Sequence, residues 1–173
     1  MKRRFQLAAL HVALTLTAWP MESVMNRVMI RELGIPALGV GVLLSFAYFL
    51  SPLQIFIGRR SDRLRFLGVQ RTPWILIGFT LCIGSMLLAP QVIQAIPVSN
   101  LGWLWAVLVF LPWGVGFKLA SVGYFTLAAE GLGERERSRT VAIMFIAMIL
   151  SIIATSVLMG RMLEPFSFAV LSK

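Results

Sequence analysis

Two ionisable residues stand inside long apolar runs, His11 and Lys118. A neutral imidazole offers one N–H and one lone pair, so His11 can bind a metal or tie one helix to another. An ammonium at mid-depth in a bilayer costs on the order of 3 kcal/mol unless it finds an acid, a cavity or an interface. At 100° per residue, Lys118, Ser121 and Phe125 share one helical face. Gly116, Ala120 and Gly123 form a small-residue stripe on another, suited to close helix packing. Lys118 can therefore serve a polar ligand, snorkel to an interface, or pair with Glu22 or Glu130. Glu22 and Asn26 lie one helical turn apart and form either a polar lid or a water-exposed pair. The sequence contains no H-E-x-x-H, nucleophile elbow or phosphate loop, and an enzyme is not expected. Its one cysteine, Cys82, excludes a disulfide within the chain and supplies no zinc site.

The segment Ile57–Trp74 concentrates charge, with Arg59, Arg60, Arg63, Arg65 and Arg71 between two apolar runs. Such a cluster stays out of the lipid, and by the positive-inside rule it is cytoplasmic. Within it, Gly58 lets the chain leave a helix closely packed. Asp62 can accept backbone N–H groups at a neighbouring helix start or pair with an arginine. Gly58, Arg59, Arg60, Asp62, Arg63 and Arg71 form either a latch between helices or a solvated loop that sets topology.

The elements around these residues are membrane helices. The chain is 58% hydrophobic and 13% charged, with a mean hydropathy of +0.86. A soluble domain carries roughly 25% charged residues. Apolar runs of about 18 residues or more predict spanning helices. Five are expected, at about 5–24, 38–57, 73–89, 101–129 and 140–159, in one all-α transmembrane domain covering 1–173. Met25–Ala37 is read as a short outer connection ended by Gly34 and Pro36. Pro52 is expected to kink the second span. Pro90–Asn100 is read as an uncharged outer loop, and Glu130–Arg139 as a second cytoplasmic turn.

Charge supports this topology. Lys2, Arg3, Arg4, the loop arginines, Arg135, Arg137 and Arg139 fall on one side, against Arg27, Arg31, Arg161 and Lys173 on the other. The N-terminus is therefore placed in the cytoplasm. Because no A-x-A-like site follows Trp19-Pro20, the first run is read as a membrane helix rather than a signal peptide. The net charge of +9 is accounted for by these loops, and no nucleic-acid partner is expected.

Gly58-x-x-x-Asp62-Arg63 resembles the loop between helices two and three of the major facilitator superfamily. A narrower likeness is carried by four segments in order. They are Asn26–Pro36, Ile57–Asp62, Arg71-Thr72-Pro73-Trp74, and Tyr124-x-x-Leu127-Ala128-Ala129-Glu130 with Glu134–Thr140. These resemble the PucC/LhaA family, the bacteriochlorophyll-delivery members of that superfamily. The resemblance implies a fold of twelve helices in two halves, of which this chain would supply the N-terminal half without its sixth helix. It also implies a bacterial inner, intracytoplasmic or thylakoid membrane.

From the resemblance the expected function is an accessory or assembly factor of photosynthetic light-harvesting or reaction-centre complexes. It would handle or dock chlorophyll- or bacteriochlorophyll-bearing subunits, and its partners would be lipid and antenna or reaction-centre subunits. His11 then becomes a candidate ligand for the pigment's magnesium. Two alternatives are carried: an ion-coupled small-solute transporter, and a purely structural subunit of a pigment–protein complex.

Overall fold

The computed structural model describes residues 2–52, 54–56, 59, 71–129 and 133–162. Helix α1 (Lys2–Trp19) does not stop at the Trp19-Pro20 pair. It continues through a π-helical turn (Pro20–Val24), one α-helical turn (Met25–Arg27) and a second π-helical turn (Val28–Glu32). The expected break at Met25 is therefore corrected to unbroken helix as far as Glu32. The reason lies in the apolar spacing. Met21, Val24, Met25, Val28 and Met29 recur at helical intervals and all are buried, so one face is packed for two further turns. Pro20 brings no N–H, and the chain widens to an i→i+5 turn, with the Met25 amide donating to the Pro20 carbonyl. The helix ends at Gly34, whose φ of 64° is left-handed. The Ile35 amide reaches back to the Met29 carbonyl at 2.9 Å, one residue further than in a Schellman turn, as the wider π-helical end requires.

Helix α2 (Ala37–Phe49) starts directly after Pro36. Its chain turns at Leu50–Pro52 and is helical again over 54–56, so the interruption falls at Pro52, where the preceding residues are pushed away from helical geometry. Helix α3 (Thr72–Ala95) opens with Pro73 in its first turn and runs through Pro90. The outer loop expected from Pro90 is thus corrected to helix as far as Ala95. A proline removes only one ladder bond. Here Ala89, Pro90 and Ile93 are buried, and the Gln94 side-chain Nε2 donates to the Pro90 carbonyl at 2.8 Å.

Helix α4 (Asn100–Ala129) contains Pro112. Helix α5 (Glu134–Met162) begins well before Thr140, the start expected from composition. Its first turns, Glu134-Arg135-Glu136-Arg137, are strong helix formers. The Gly133 carbonyl accepts from the Glu136 and Arg137 amides at 3.0 and 2.9 Å.

All the regular structure among the described residues is helical. Four stretches are long and apolar enough to cross a membrane: Ala37–Phe56, Thr72–Ala95, Asn100–Ala128 and Arg135–Arg161. The protein is a polytopic membrane helix bundle. Helix α4 is its axis, most of its apolar length covered by the rest of the chain, whereas α5 is largely uncovered. Helices α1, α2 and α3 pack on α4, and α5 lies along α1. At the α3–α4 crossing the backbones nearly touch. A Cβ on Gly78 would come within 2.6 Å of the Gly116 carbonyl and the Ala120 nitrogen. The stripe Gly116, Ala120 and Gly123 faces α3 as its spacing suggests, with Gly123 against Ile75.

Candidate functional site

His11 lies on the buried stripe of α1 between Leu7 and Leu14, and is 5% exposed. One ring nitrogen, Nδ1, is 2.6 Å from the Tyr124 hydroxyl of α4. The other, Nε2, is buried and has no hydrogen-bond partner among the described residues. Phe125 and Phe145 flank the imidazole, with ring centroids at 5.7 and 5.6 Å. The ring borders a crevice of about 560 Å³ between α1, α4 and α5, lined also by Gln54, Phe117, Ser121 and Met148.

This arrangement fixes two chemical options. If Nδ1 carries the proton and donates to the Tyr124 oxygen, Nε2 presents a lone pair to a metal. If the tyrosine donates instead, Nε2–H is left to meet a carbonyl. Either way, a polar atom at the edge of an apolar crevice lacks a partner among the described residues, which is rare for a buried group.

A second cluster joins three helices. The Tyr48 hydroxyl of α2 donates to Glu22 Oε1 at 3.1 Å. The Lys118 ammonium of α4 lies 5.8 Å from the centroids of both the Tyr48 and Phe117 rings, within reach of cation–π attraction. Lys118 is 8% exposed. The continuation of α1 to Glu32 changes the setting of Glu22. It was expected at a span end, but it lies inside an unbroken helix, about 15 Å from the Glu32 end at 1.5 Å per residue. Tyr48 thus touches the acid through its hydroxyl and the amine through its ring.

The other sequence candidates separate. Ser121 borders the His11 crevice, but its hydroxyl donates to the Phe117 carbonyl at 2.6 Å. Phe125 is on the same crevice, whereas Lys118 turns to Tyr48. Asn26 is half-buried, and no hydrogen bond among the described residues ties it to the Glu22 cluster. Arg59 is exposed, while Arg71 is buried at the start of α3. Its carbonyl accepts from the Ile75 amide at 3.2 Å. Gly58, Arg60, Asp62, Arg63 and Glu130 lie outside the described residues.

Sequence reasoning passed over Tyr48, Gln54 and the role of Tyr124. Tyr124 carries a detectable signal, being one turn from Ser121 on the face that also holds Phe117 and Phe125. Tyr48 carries none, because its partners lie 26 residues away at Glu22 and on α4.

Comparison with known proteins adds the following. A family model described as PUCC protein matches residues 24–173. An "Uncharacterized protein in puhA-bchM intergenic region" of Rhodobacter capsulatus is 32% identical over 149 residues, covering 82% of this chain and 31% of that protein. "Protein PucC" of Cereibacter sphaeroides is 28% identical across the whole chain, which spans 40% of its length. The "Bacteriochlorophyll synthase 44.5 kDa chain" of Rhodobacter capsulatus is 28% identical over 146 residues, 84% of this chain and 33% of that one. The chain thus spans between 31% and 40% of these relatives. No solved structure matches.

Proposed function

Because this chain belongs to the PUCC protein family, we propose that it is a non-enzymatic accessory or assembly factor of photosynthetic light-harvesting or reaction-centre complexes. In this reading it handles or docks subunits that carry chlorophyll-type pigment, and it has the N-terminal half-fold of a major facilitator. The family match over residues 24–173 carries the reading. Names among the relatives support it, since one is called a bacteriochlorophyll synthase chain. The bias of Lys and Arg favours a cytoplasmic N-terminus in a bacterial inner, intracytoplasmic or thylakoid membrane.

The residues present suit such a pigment. The unpartnered His11 Nε2 offers a ligand to a magnesium chlorin, and Tyr124 would hold the imidazole in the required tautomer. Phe117, Phe125, Phe145 and Met148 supply apolar and polarisable walls. When bound, the pigment would supply a Lewis-acidic metal for that nitrogen. Mild solubilisation and pull-down from a photosynthetic host tests the reading. Tetrapyrrole absorbance together with antenna or reaction-centre subunits is expected, and the absence of both would remove it.

A second reading, ion-coupled transport of a small solute, is favoured by one observation. Glu22 sits within a helix and is hydrogen-bonded to Tyr48 beside Lys118. Uptake driven by an ion gradient in vesicles, lost in Glu22→Gln, would support this reading over the first.

A further inference from the structure

We propose that Lys118 and Tyr48 form a binding site for the carboxylate of an amphiphile that enters from the bilayer between α2 and α4. Lys118 is buried, yet among the described residues its ammonium makes no ion pair and no hydrogen bond. Its neighbours are the rings of Tyr48 and Phe117, each at 5.8 Å. Ring faces do not use three N–H donors, and an ammonium on a largely buried side chain favours an oxygen anion. Among the described residues the acid of the cluster is Glu22, which accepts the Tyr48 hydroxyl and acts on the ammonium through space without an ion-pair contact.

Access is built in. Tyr48 is 62% exposed, while Lys118 behind it is 8% exposed. A molecule arriving along the exposed face of α2 meets the tyrosine first and the ammonium next. The apolar residues Val42 and Phe49, also exposed on α2, suit a hydrocarbon tail or a flat ring on that route. Two sources share the required chemistry: a fatty acid, and the acidic side arm of a tetrapyrrole. The site does not depend on the assembly role, nor on metal ligation at His11.

The test uses the full chain in nanodiscs of phosphatidylcholine, with lipid-only discs subtracted. One arm titrates dibromostearate against its methyl ester, read by quenching of tryptophan fluorescence. Trp113 is well placed as reporter, with its ring 6.3 Å from that of Phe117. The other arm titrates pyropheophorbide, a chlorin acid without metal, against its methyl ester, which keeps His11 ligation out of the readout. In at least one arm the acid is expected to bind about tenfold more tightly than the ester. Lys118→Gln should abolish that preference and leave ester binding unchanged, while Lys118→Arg should keep it. A preference in the first arm alone identifies a lipid-derived acid, and in the second alone a pigment acid. Acid and ester binding alike in both arms would overturn the site, and this comparison needs no variant. A preference that survives in Lys118→Gln would overturn it equally.

Discussion

At the scale of single residues, the pair His11–Tyr124 decides whether the α1–α4 contact is a structural tie or a poised ligand. Tyr124→Phe removes one partner and leaves Nδ1 buried beside an apolar ring. A stranded buried group costs about 1–3 kcal/mol in water-soluble proteins, while polar pairs between membrane helices average nearer 0.6 kcal/mol. The expected loss of stability for Tyr124→Phe is therefore about 1 kcal/mol, measured by unfolding in mixed micelles. The double variant His11→Leu/Tyr124→Phe should recover part of it, because replacing both partners strands neither. If Tyr124→Phe costs nothing while His11→Leu costs several kcal/mol, the hydrogen bond is not what holds His11.

His11 and Lys118 were legible in the sequence because an ionisable side chain inside an apolar run is conspicuous. Their partners were not. His11 meets Tyr124 across 113 residues, and no spacing rule reaches that far. For Lys118 the sequence leaves a ligand, an interface or a pair with Glu22 or Glu130 open; the fold brings Glu22 into its cluster by way of Tyr48, which charge alone does not reveal.

At the scale of elements, four of the five expected spans coincide with described helices long and apolar enough to cross a membrane, the first expected span being the exception, and several ends differ. In the sequence, charged residues and prolines look like stops. In α1 the buried methionine and valine stripe outweighs Arg27, Arg31 and Glu32, which reach the surface from the opposite side of the helix. In α3, burial around Pro90 outweighs the single lost ladder bond. In α5, Glu and Arg side chains form good helix before the apolar run begins. Packing by small residues was easier to read, since Gly116, Ala120 and Gly123 lie on one face by arithmetic.

That packing yields a prediction with an internal control. A side chain at Gly78 would collide with main-chain atoms of Gly116 and Ala120, and neither can move aside. Gly78→Val is expected to destabilise the bundle by about 3 kcal/mol, at the upper end of overpacking effects. A new Cβ at Gly41 meets nothing within 4 Å, so Gly41→Ala should be neutral or slightly stabilising, as a helical glycine replaced by alanine normally is. Thermal aggregation of the two purified variants would compare them. Equal tolerance at both positions would mean that α3 and α4 do not cross at these glycines.

At the scale of the whole molecule, α4 holds the bundle together and α5 stands at its margin. Both polar clusters touch α4, on faces other than the one packed against α3. His11 reaches it from α1, and Tyr48 from α2. The chain therefore presents two polar points along one central helix. One is an imidazole nitrogen beside an apolar crevice, without a partner among the described residues, and the other is an ammonium behind an exposed tyrosine. A ligand-handling reading explains why a membrane bundle would keep both in place of apolar side chains.

The absorption spectrum of bacteriochlorophyll titrated into the purified chain tests this account most directly, because one visible band of the pigment responds to axial coordination of its magnesium. The account predicts saturable binding with the spectrum of a coordinated metal in the native chain. In His11→Phe, which keeps the crevice apolar, the coordinated spectrum should be lost and affinity should fall about tenfold. No saturable binding, or the same coordinated spectrum in His11→Phe, would contradict it.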